Sequence, residues 1–335
     1  MIQTAIAHAM NGDELPRELA RATMDQILAG EATPAQIAAL AVALRMKGET
    51  PQEIAGMAEA LRQHVAPIRT RRAPLVDTCG TGGDSAGTFN ISTTAAILAA
   101  SCGVAVAKHG NRAVTSRTGS ADVLESLGVR IDLTPESAGR SLDLLGITFL
   151  FAPNYHAALR HAAAPRREIG VRTVFNILGP LSNPAGARRQ LLGVYSDALV
   201  RPVAEVLRAL GSEHAWVVHG RDGLDELTVF EHSHVAELKD GRIREFEVEP
   251  GQYGLGASNR DGISGGAPAA NAERIWSILS GAAGPARDIV VLNTAAALIV
   301  SGVSSDLGEG IGLAQRALDG GAARAKLNEL AAFRG

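Results

Sequence analysis

Three short stretches of this chain carry side chains and backbone suited to anion chemistry. GTGGD at 80–84 packs three glycines and an acid into five positions, directly after a short apolar run, and Asn90-Ile91-Ser92-Thr93 follows it. Glycine supplies positive φ at no steric cost, so the plain reading is a strand-to-helix turn. The alternative is a phosphate cradle, in which missing side chains let backbone N–H groups approach anionic oxygens. KHGNRAVTSRTGSAD at 108–122 begins with Lys108 at the end of an apolar run, where its ammonium can meet phosphate as a point charge. Gly110 and Gly119 allow close approach there, and Asn111, Thr115, Ser116 and Ser120 offer short polar groups. The third stretch, HGRDGLDE at 219–226, sets Asp225 beside Glu226. Oxygen ligands of this kind suit Mg²⁺, which commonly bridges substrate phosphates, and Ser92 could add a hydroxyl. A solvated acidic turn is the ordinary alternative for such a pair.

Other chemistries have weaker footing. No HxH or HExxH spacing accompanies His109, His156 or His219, which argues against zinc. Cys79 and Cys102 are too few for a disulfide framework or thiolate metal site, and Cys79 has no adjacent histidine to activate it. The Walker pattern is missing, and GTGGD does not satisfy GxGxxG. Arg166 and Arg167 could clamp a carboxylate, although a solvated helix face is the usual fate of such residues.

The elements that must position these groups can be read from periodicity. Residues 1–68 read as a small helical domain: Thr33-Pro34-Ala35-Gln36 and Thr50-Pro51-Gln52-Glu53 are capping boxes with proline at the first helical position. Ile37, Leu40 and Leu44 recur at helical spacing between them. A polar, arginine-rich linker from Pro67 to Pro74 leads to an α/β domain over 74–335. There, apolar runs at 75–76, 103–107, 147–151, 191–195 and 216–219 alternate with helical segments, which predicts βαβ units and a mainly parallel sheet. Ligands gather beyond the carboxyl ends of such strands, and all three polar stretches fall there. That coincidence favours the cradle.

Bulk composition narrows the function classes. The 335 residues are 46% hydrophobic and 20% charged, enough for about two domains with a substantial core. A formal net charge of −3 argues against bulk nucleic-acid affinity. No apolar run approaches the ~18 residues of a membrane span, and no signal-peptide pattern is read. A cytoplasmic protein is expected.

Taken together, GTGGD, FNIST, KHGNRAV, GSADVLE, FNILGPLSNP and DGLDE closely resemble the anthranilate phosphoribosyltransferases of tryptophan biosynthesis, over about residues 15–330. The resemblance implies a helical domain, joined by a helical segment near 165–185, on a larger α/β domain with the active site in the cleft between them. It implies a homodimeric transferase of phosphoribosyl pyrophosphate (PRPP) and anthranilate, with Mg²⁺ as two ions. Carried over residue by residue, it assigns PRPP to Gly80, Gly83, Asp84, Thr88, Asn90, Ile91, Ser92, Thr93, Lys108, His109, Gly110, Asn111, Arg112, Ala113, Val114, Thr115, Ser116 and Ser120. It assigns metal to Ser92, Asp225 and Glu226, and anthranilate to Gly80, Asn111, Arg166, His109 and His156. Lys108, Asp225 and Glu226 would act electrostatically, with no general base. Thr115 and Thr118 stand where the family often has serine, and Leu224 where it often has methionine. Two alternatives remain open at this point: a pyrimidine nucleoside phosphorylase, which shares single motifs and the fold, and a non-catalytic nucleic-acid-binding relative.

Overall fold

The computed structural model of the chain describes residues 1–84, 86–113 and 117–335. Four helices come first: α1 (Ile2–Met10), α2 (Arg17–Leu28), α3 (Pro34–Lys47) and α4 (Pro51–Gln63). Helices α3 and α4 start where the capping boxes predict, with both reciprocal hydrogen bonds formed at Thr33/Gln36 and at Thr50/Glu53. Gly48, at φ 90°, ends α3. The Glu53 carboxylate does more than cap. It also accepts the Leu15 N–H at 2.8 Å and the Lys47 ammonium at 3.0 Å, while wholly buried. One side chain therefore ties the α1–α2 connection, the end of α3 and the start of α4 together.

Beyond Pro74 the chain alternates: β1 (Leu75–Asp77), α5 (Ile91–Ser101), β2 (Ala105–Gly110), α6 (Ser120–Ser126), α7 (Pro135–Leu145) and β3 (Ile147–Phe151). Helices α8 (Ala152–Tyr155), α9 (Arg160–Ile169) and α10 (Phe175–Leu178) follow, then β4 (Arg189–Gly193), α11 (Val200–Ala209) and β5 (His214–Gly220). The chain closes with β6 (Ser233–Lys239), β7 (Arg242–Val248), α12 (Pro268–Leu279), α13 (Pro285–Ser301), α14 (Leu307–Asp319) and α15 (Ala322–Ala332). The strand order is β3-β2-β1-β4-β5-β6-β7. Strands β1 to β5 are parallel, and β6 and β7 are antiparallel.

The expectation of a mainly parallel sheet holds, with two shifts of register. Strand β2 runs on to Gly110, because His109 and Gly110 still pair with Leu150 and Phe151 of β3. Strand β4 spans 189–193 rather than 191–195, since Arg189 and Gln190 pair with Val76 and Asp77. The β6–β7 hairpin escaped sequence reading because RIREFEV is charge-rich, as an exposed edge strand must be.

Side-chain alternation sorts the sheet into two faces. Leu191, Trp216, Val218 and Val235 point into a core built with α5 and α12–α15. Leu192, Val217, Ala236 and Leu238 point the other way, into a core shared with α11 and the N-terminal helices. Helix α9 packs on α2 and α3, and α10 on α4, so residues 160–178 return to the bundle from far along the chain.

Glu53→Ala leaves the Lys47 ammonium and the Leu15 N–H buried without their partner. Breaking such a pair costs about 3–5 kcal/mol. Urea unfolding followed by circular dichroism should show a loss of that order.

Candidate active site at the carboxyl edge of the sheet

The chain runs outward from β1 through β2 to β3, then crosses back to place β4 on the other side of β1. Carboxyl ends of β1 and β4 thus flank the point where strand order reverses, the usual crevice for ligands in open α/β sheets. GTGGD leaves β1 at this point. Thr81 donates its N–H to the Gly193 carbonyl at 2.8 Å, and its Oγ1 accepts the Tyr195 N–H at 3.2 Å. Gly82 and Gly83 take positive φ of 65° and 81°. Gly82 donates its N–H to Asp225 Oδ2 at 2.8 Å. A Cβ on Gly80 would stand 2.7 Å from that same oxygen, so the acid loop itself demands glycine here.

Lys108 lies beside this loop, almost fully buried. Its ammonium donates to the Thr78 carbonyl at 3.0 Å and to Ser92 Oγ at 3.4 Å. Ser92 in turn donates its N–H to Glu226 Oε1 at 3.1 Å. The structure therefore brings together the groups that sequence reading assigned to magnesium and to leaving-group charge. Asp84 adds a third carboxylate: burial, followed by the charge of Asp84, raises the Asp225 pKa, and burial followed by Asp225 raises that of Glu226. Sequence reading placed Asp84 on PRPP only; its closeness to Asp225 was hidden by their wide separation along the chain.

Acids crowded together in this way fit a divalent cation held by oxygen. Among the described residues, though, the three His, Cys, Asp or Glu ligand atoms that lie within 4.8 Å of one another belong to Asp77, Cys79 and His109. The Asp84–Asp225–Glu226 set is more open, as suits Mg²⁺ that keeps waters and phosphate oxygens in its shell. The Asp77 carboxylate is already satisfied by neighbouring donors. Asp77 accepts the His109 N–H at 3.1 Å, the Cys79 thiol at 3.3 Å and Asn183 Nδ2 at 2.7 Å. Burial pushes the Cys79 thiol well up, which agrees with a structural role.

The second loop is more self-contained than predicted. Ser120 Oγ accepts the Asn111 N–H at 3.2 Å and donates to the Asn111 carbonyl at 3.1 Å. Arg112 donates its N–H to Asn111 Oδ1, and its guanidinium is held by Asp122 and Glu125. Ala113 and Gly119 both donate N–H groups to Asp122 Oδ2. A Cβ on Gly110 would collide with Ser120 Oγ at 2.2 Å. Val114, Thr115 and Ser116, also expected at the PRPP site, lie outside the described residues. Asn90 acts as a node: its amide donates to the Thr118 carbonyl and its oxygen accepts from Asn271 of α12. Thr88 bridges to Ser264, while Ile91 and Thr93 are buried within α5.

Past the end of the Lys108 strand, the rings of His109 and His156 lie 5.0 Å apart, tilted by 52°. His109 Nε2 and both His156 nitrogens are buried without hydrogen-bond partners. Burial, with the His156 ring and Lys108 adding to it, takes the His109 pKa down to about 3, and burial alone takes His156 to about 4. Both rings are neutral. Arg166 on α9 is half-buried, its guanidinium 5.6 Å from the centre of the Phe175 ring. Arg172, which sequence reading passed over, stacks 4.6 Å from the Tyr195 ring. Its only signal was position, in the turn between two helices at the crevice.

The arrangement, an N-terminal bundle against a sheet whose carboxyl edge gathers anion-binding loops and acids, matches the glycosyl transferase family: its helical bundle domain over residues 3–65 and its a/b domain over 72–324. An anthranilate phosphoribosyltransferase of Moorella thermoacetica is 51% identical over 99% of this chain and 98% of its own length. The crystal structure of anthranilate phosphoribosyltransferase from Thermus thermophilus superposes with a TM-score of 0.93 at 45% identity, covering 98% of both chains. The Saccharomyces cerevisiae enzyme in complex with PRPP and Mg gives 0.89 at 26% identity, covering 98% of this chain and 96% of that one. The same yeast protein with 4-fluoroanthranilate gives 0.87 at 25% identity, covering 98% and 97%. The chain belongs to the anthranilate phosphoribosyltransferase family.

The two imidazoles make a signed prediction. Their folded pKa values fall below the ordinary ~6.5, so unfolding takes up protons, and stability present above pH 6.5 is lost as pH falls towards 4. Each ring contributes up to about 1.4 kcal/mol per pH unit. Asp225 and Glu226, shifted upward, act in the opposite sense and mask part of the slope. Comparing wild type with His156→Gln between about pH 4.5 and 6.5 isolates the imidazole. Urea unfolding should show a shallower loss of stability with acid in the variant.

Proposed function

We propose that this chain transfers the 5-phosphoribosyl group of PRPP to the amine of anthranilate, releasing pyrophosphate, as a step of tryptophan biosynthesis. The observation that carries this reading is the meeting, at one switch point, of a bare glycine loop, a buried lysine and three clustered carboxylates. Such a site suits a diphosphate that gains charge as it leaves. Family membership takes the place of the phosphorylase alternative.

In this reading the anomeric C–O bond breaks as the C–N bond to anthranilate forms, and the diphosphate leaves with the electron pair. Lys108, and the N–H groups of the glycine loop that Gly193 and Asp225 do not engage, meet the charge that develops on it. Asp225, Glu226 and Ser92, with Asp84, would hold magnesium. When bound, that metal supplies positive charge to the departing oxygens. Asp225 turns to Gly82 while Glu226 turns to Ser92, and the reading takes magnesium as two ions. Arg166 presents a guanidinium to the anthranilate carboxylate, and Asn111, Gly80, His109 and His156 line the approach. An aromatic amine is neutral near pH 7, and imidazoles with pKa values about 3 and 4 are weak proton acceptors. No side chain is needed as a general base. Positioning of the two substrates supplies the remainder of the rate.

The reading includes a cytoplasmic homodimer. Two free cysteines suit a reducing compartment, and no helix among the described residues is long and apolar enough to cross a membrane. Met10, Val42 and Met46 expose apolar surface on α1 and α3, where a second copy would pack. Sedimentation tests the assembly.

Loss of anthranilate fluorescence on adding PRPP and Mg²⁺ tests the activity directly, and unchanged emission refutes it. Asp225→Asn with Glu226→Gln should lower turnover by at least about 10²–10³-fold at saturating Mg²⁺. Near-wild-type turnover would remove the metal assignment. Arg166→Ala should raise KM for anthranilate and leave the PRPP kinetics little changed; the reverse split in initial-rate measurements would contradict its role.

A further inference from the structure

Arg172 sits in a turn whose backbone is fixed on both sides. Gly170 closes α9 in the left-handed conformation at φ 67°, and Asn176 Oδ1 accepts the Thr173 N–H at 3.0 Å as α10 begins. From this turn the arginine reaches the diphosphate side of the crevice. Its guanidinium carbon lies 4.6 Å from the centre of the Tyr195 ring. A Cβ built on Gly83 would stand 2.9 Å from Nε, 3.2 Å from Cζ and 3.3 Å from Nη2. Near-equal distances to three atoms put Gly83 over the face of the planar group, not at its edge. The cation thus touches both an aromatic ring and the glycine loop, contacts that suit a flat, delocalised group.

The neighbours give this contact its meaning. Tyr195 follows β4, and its own N–H is the one that Thr81 Oγ1 accepts. Thr81 is hydrogen-bonded to Gly193 and Tyr195 and Gly82 to Asp225, while Gly83 packs against the guanidinium. Three consecutive residues of the loop therefore meet three different parts of the chain. Arg172 is the contribution of the α9–α10 segment, which also carries Arg166.

We propose that Arg172 is a positioning residue of the PRPP site. It packs against Gly83 and so holds the glycine loop in the shape that meets diphosphate, and it brings a positive charge to that loop. The proposal rests on the phosphoribosyl transfer argued above. It requires the planar guanidinium as well as the charge, so lysine is not an adequate replacement.

Steady-state kinetics and calorimetry of PRPP with Mg²⁺, on the full chain, test it. Arg172→Ala should raise both KM and Kd for PRPP on the order of 10- to 100-fold, the scale of a displaced binding group. KM for anthranilate should stay within about twofold, a split that general destabilisation would not produce. Arg172→Lys should behave like the alanine variant, and Tyr195→Ala should reproduce the defect. Because both members of the stack serve one contact, Arg172→Ala with Tyr195→Ala should be no worse than either alone. Unchanged PRPP affinity in Arg172→Ala overturns the proposal, as does full recovery in Arg172→Lys. A wild-type chain that itself fails to bind PRPP overturns the transferase reading, a result separate from any difference among the variants.

Discussion

Crowding of buried acids is the constraint on which this structure depends. Asp84, Asp225 and Glu226 converge at the edge of the sheet, and burial together with mutual repulsion raises the pKa values of Asp225 and Glu226. Lys108 offers a fixed positive charge close by, yet its ammonium is already committed to Thr78 and Ser92. A protein selected only for stability would replace such a set with apolar or neutral groups. Keeping it means that the free state carries a repulsion which bound cations relieve. Strain of this sort is characteristic of functional sites.

The sheet makes the convergence possible through very tight spacing. A Cβ on Gly193 would lie 1.6 Å from the Asp225 carbonyl oxygen, so the acid loop packs directly over the end of β4. From the other side, Asn293 of α13 clamps the same loop. It accepts the Leu227 N–H at 3.0 Å and donates to the Leu227 carbonyl at 2.8 Å. Buried Leu224 anchors the turn between β5 and the acids. The acid loop is thus held by backbone contacts to two elements, and each carboxylate gives one oxygen to a backbone N–H, Asp225 Oδ2 to Gly82 and Glu226 Oε1 to Ser92. Phosphate loops after β1 and acids after β5 become neighbours because β4, between them in the sheet, ends in glycine.

Much of this was legible in the sequence, for reasons that can be stated residue by residue. Helix starts at Thr33 and Thr50 were readable because capping is local chemistry. The parallel core of the sheet was readable because doubly covered strands are apolar runs. Motifs at strand ends then located the crevice. What stayed hidden depends on contacts distant in sequence. Nothing near Asp84 announces Asp225, and Arg172 lies in a turn with no motif of its own. Arg112 looked like a phosphate ligand from its place in KHGNRAV, yet Asp122 and Glu125, ten and thirteen residues on, hold its guanidinium. The β6–β7 hairpin lacked an apolar run because its outer strand is charged.

Asn183 shows how a motif can be conspicuous in sequence and still conceal its purpose. Within FNILGPLSNP it looks like turn chemistry, but its amide donates to Asp77 Oδ2 at 2.7 Å and to the Ala107 carbonyl at 2.8 Å. Asp77 ends β1 and Ala107 precedes Lys108 on β2, so this one amide bridges the two strands at the point where the lysine leaves. The same carboxylate accepts the His109 N–H, fixing the other side of Lys108. The segment that holds this lysine in place is also the one that begins with Arg166 and Arg172. A displacement of α9 and α10 relative to the sheet would therefore reach Arg166, Arg172 and Lys108 together. Two substrates that must meet in line are thereby referred to one piece of chain, and their alignment follows from covalent connectivity as much as from the pocket walls.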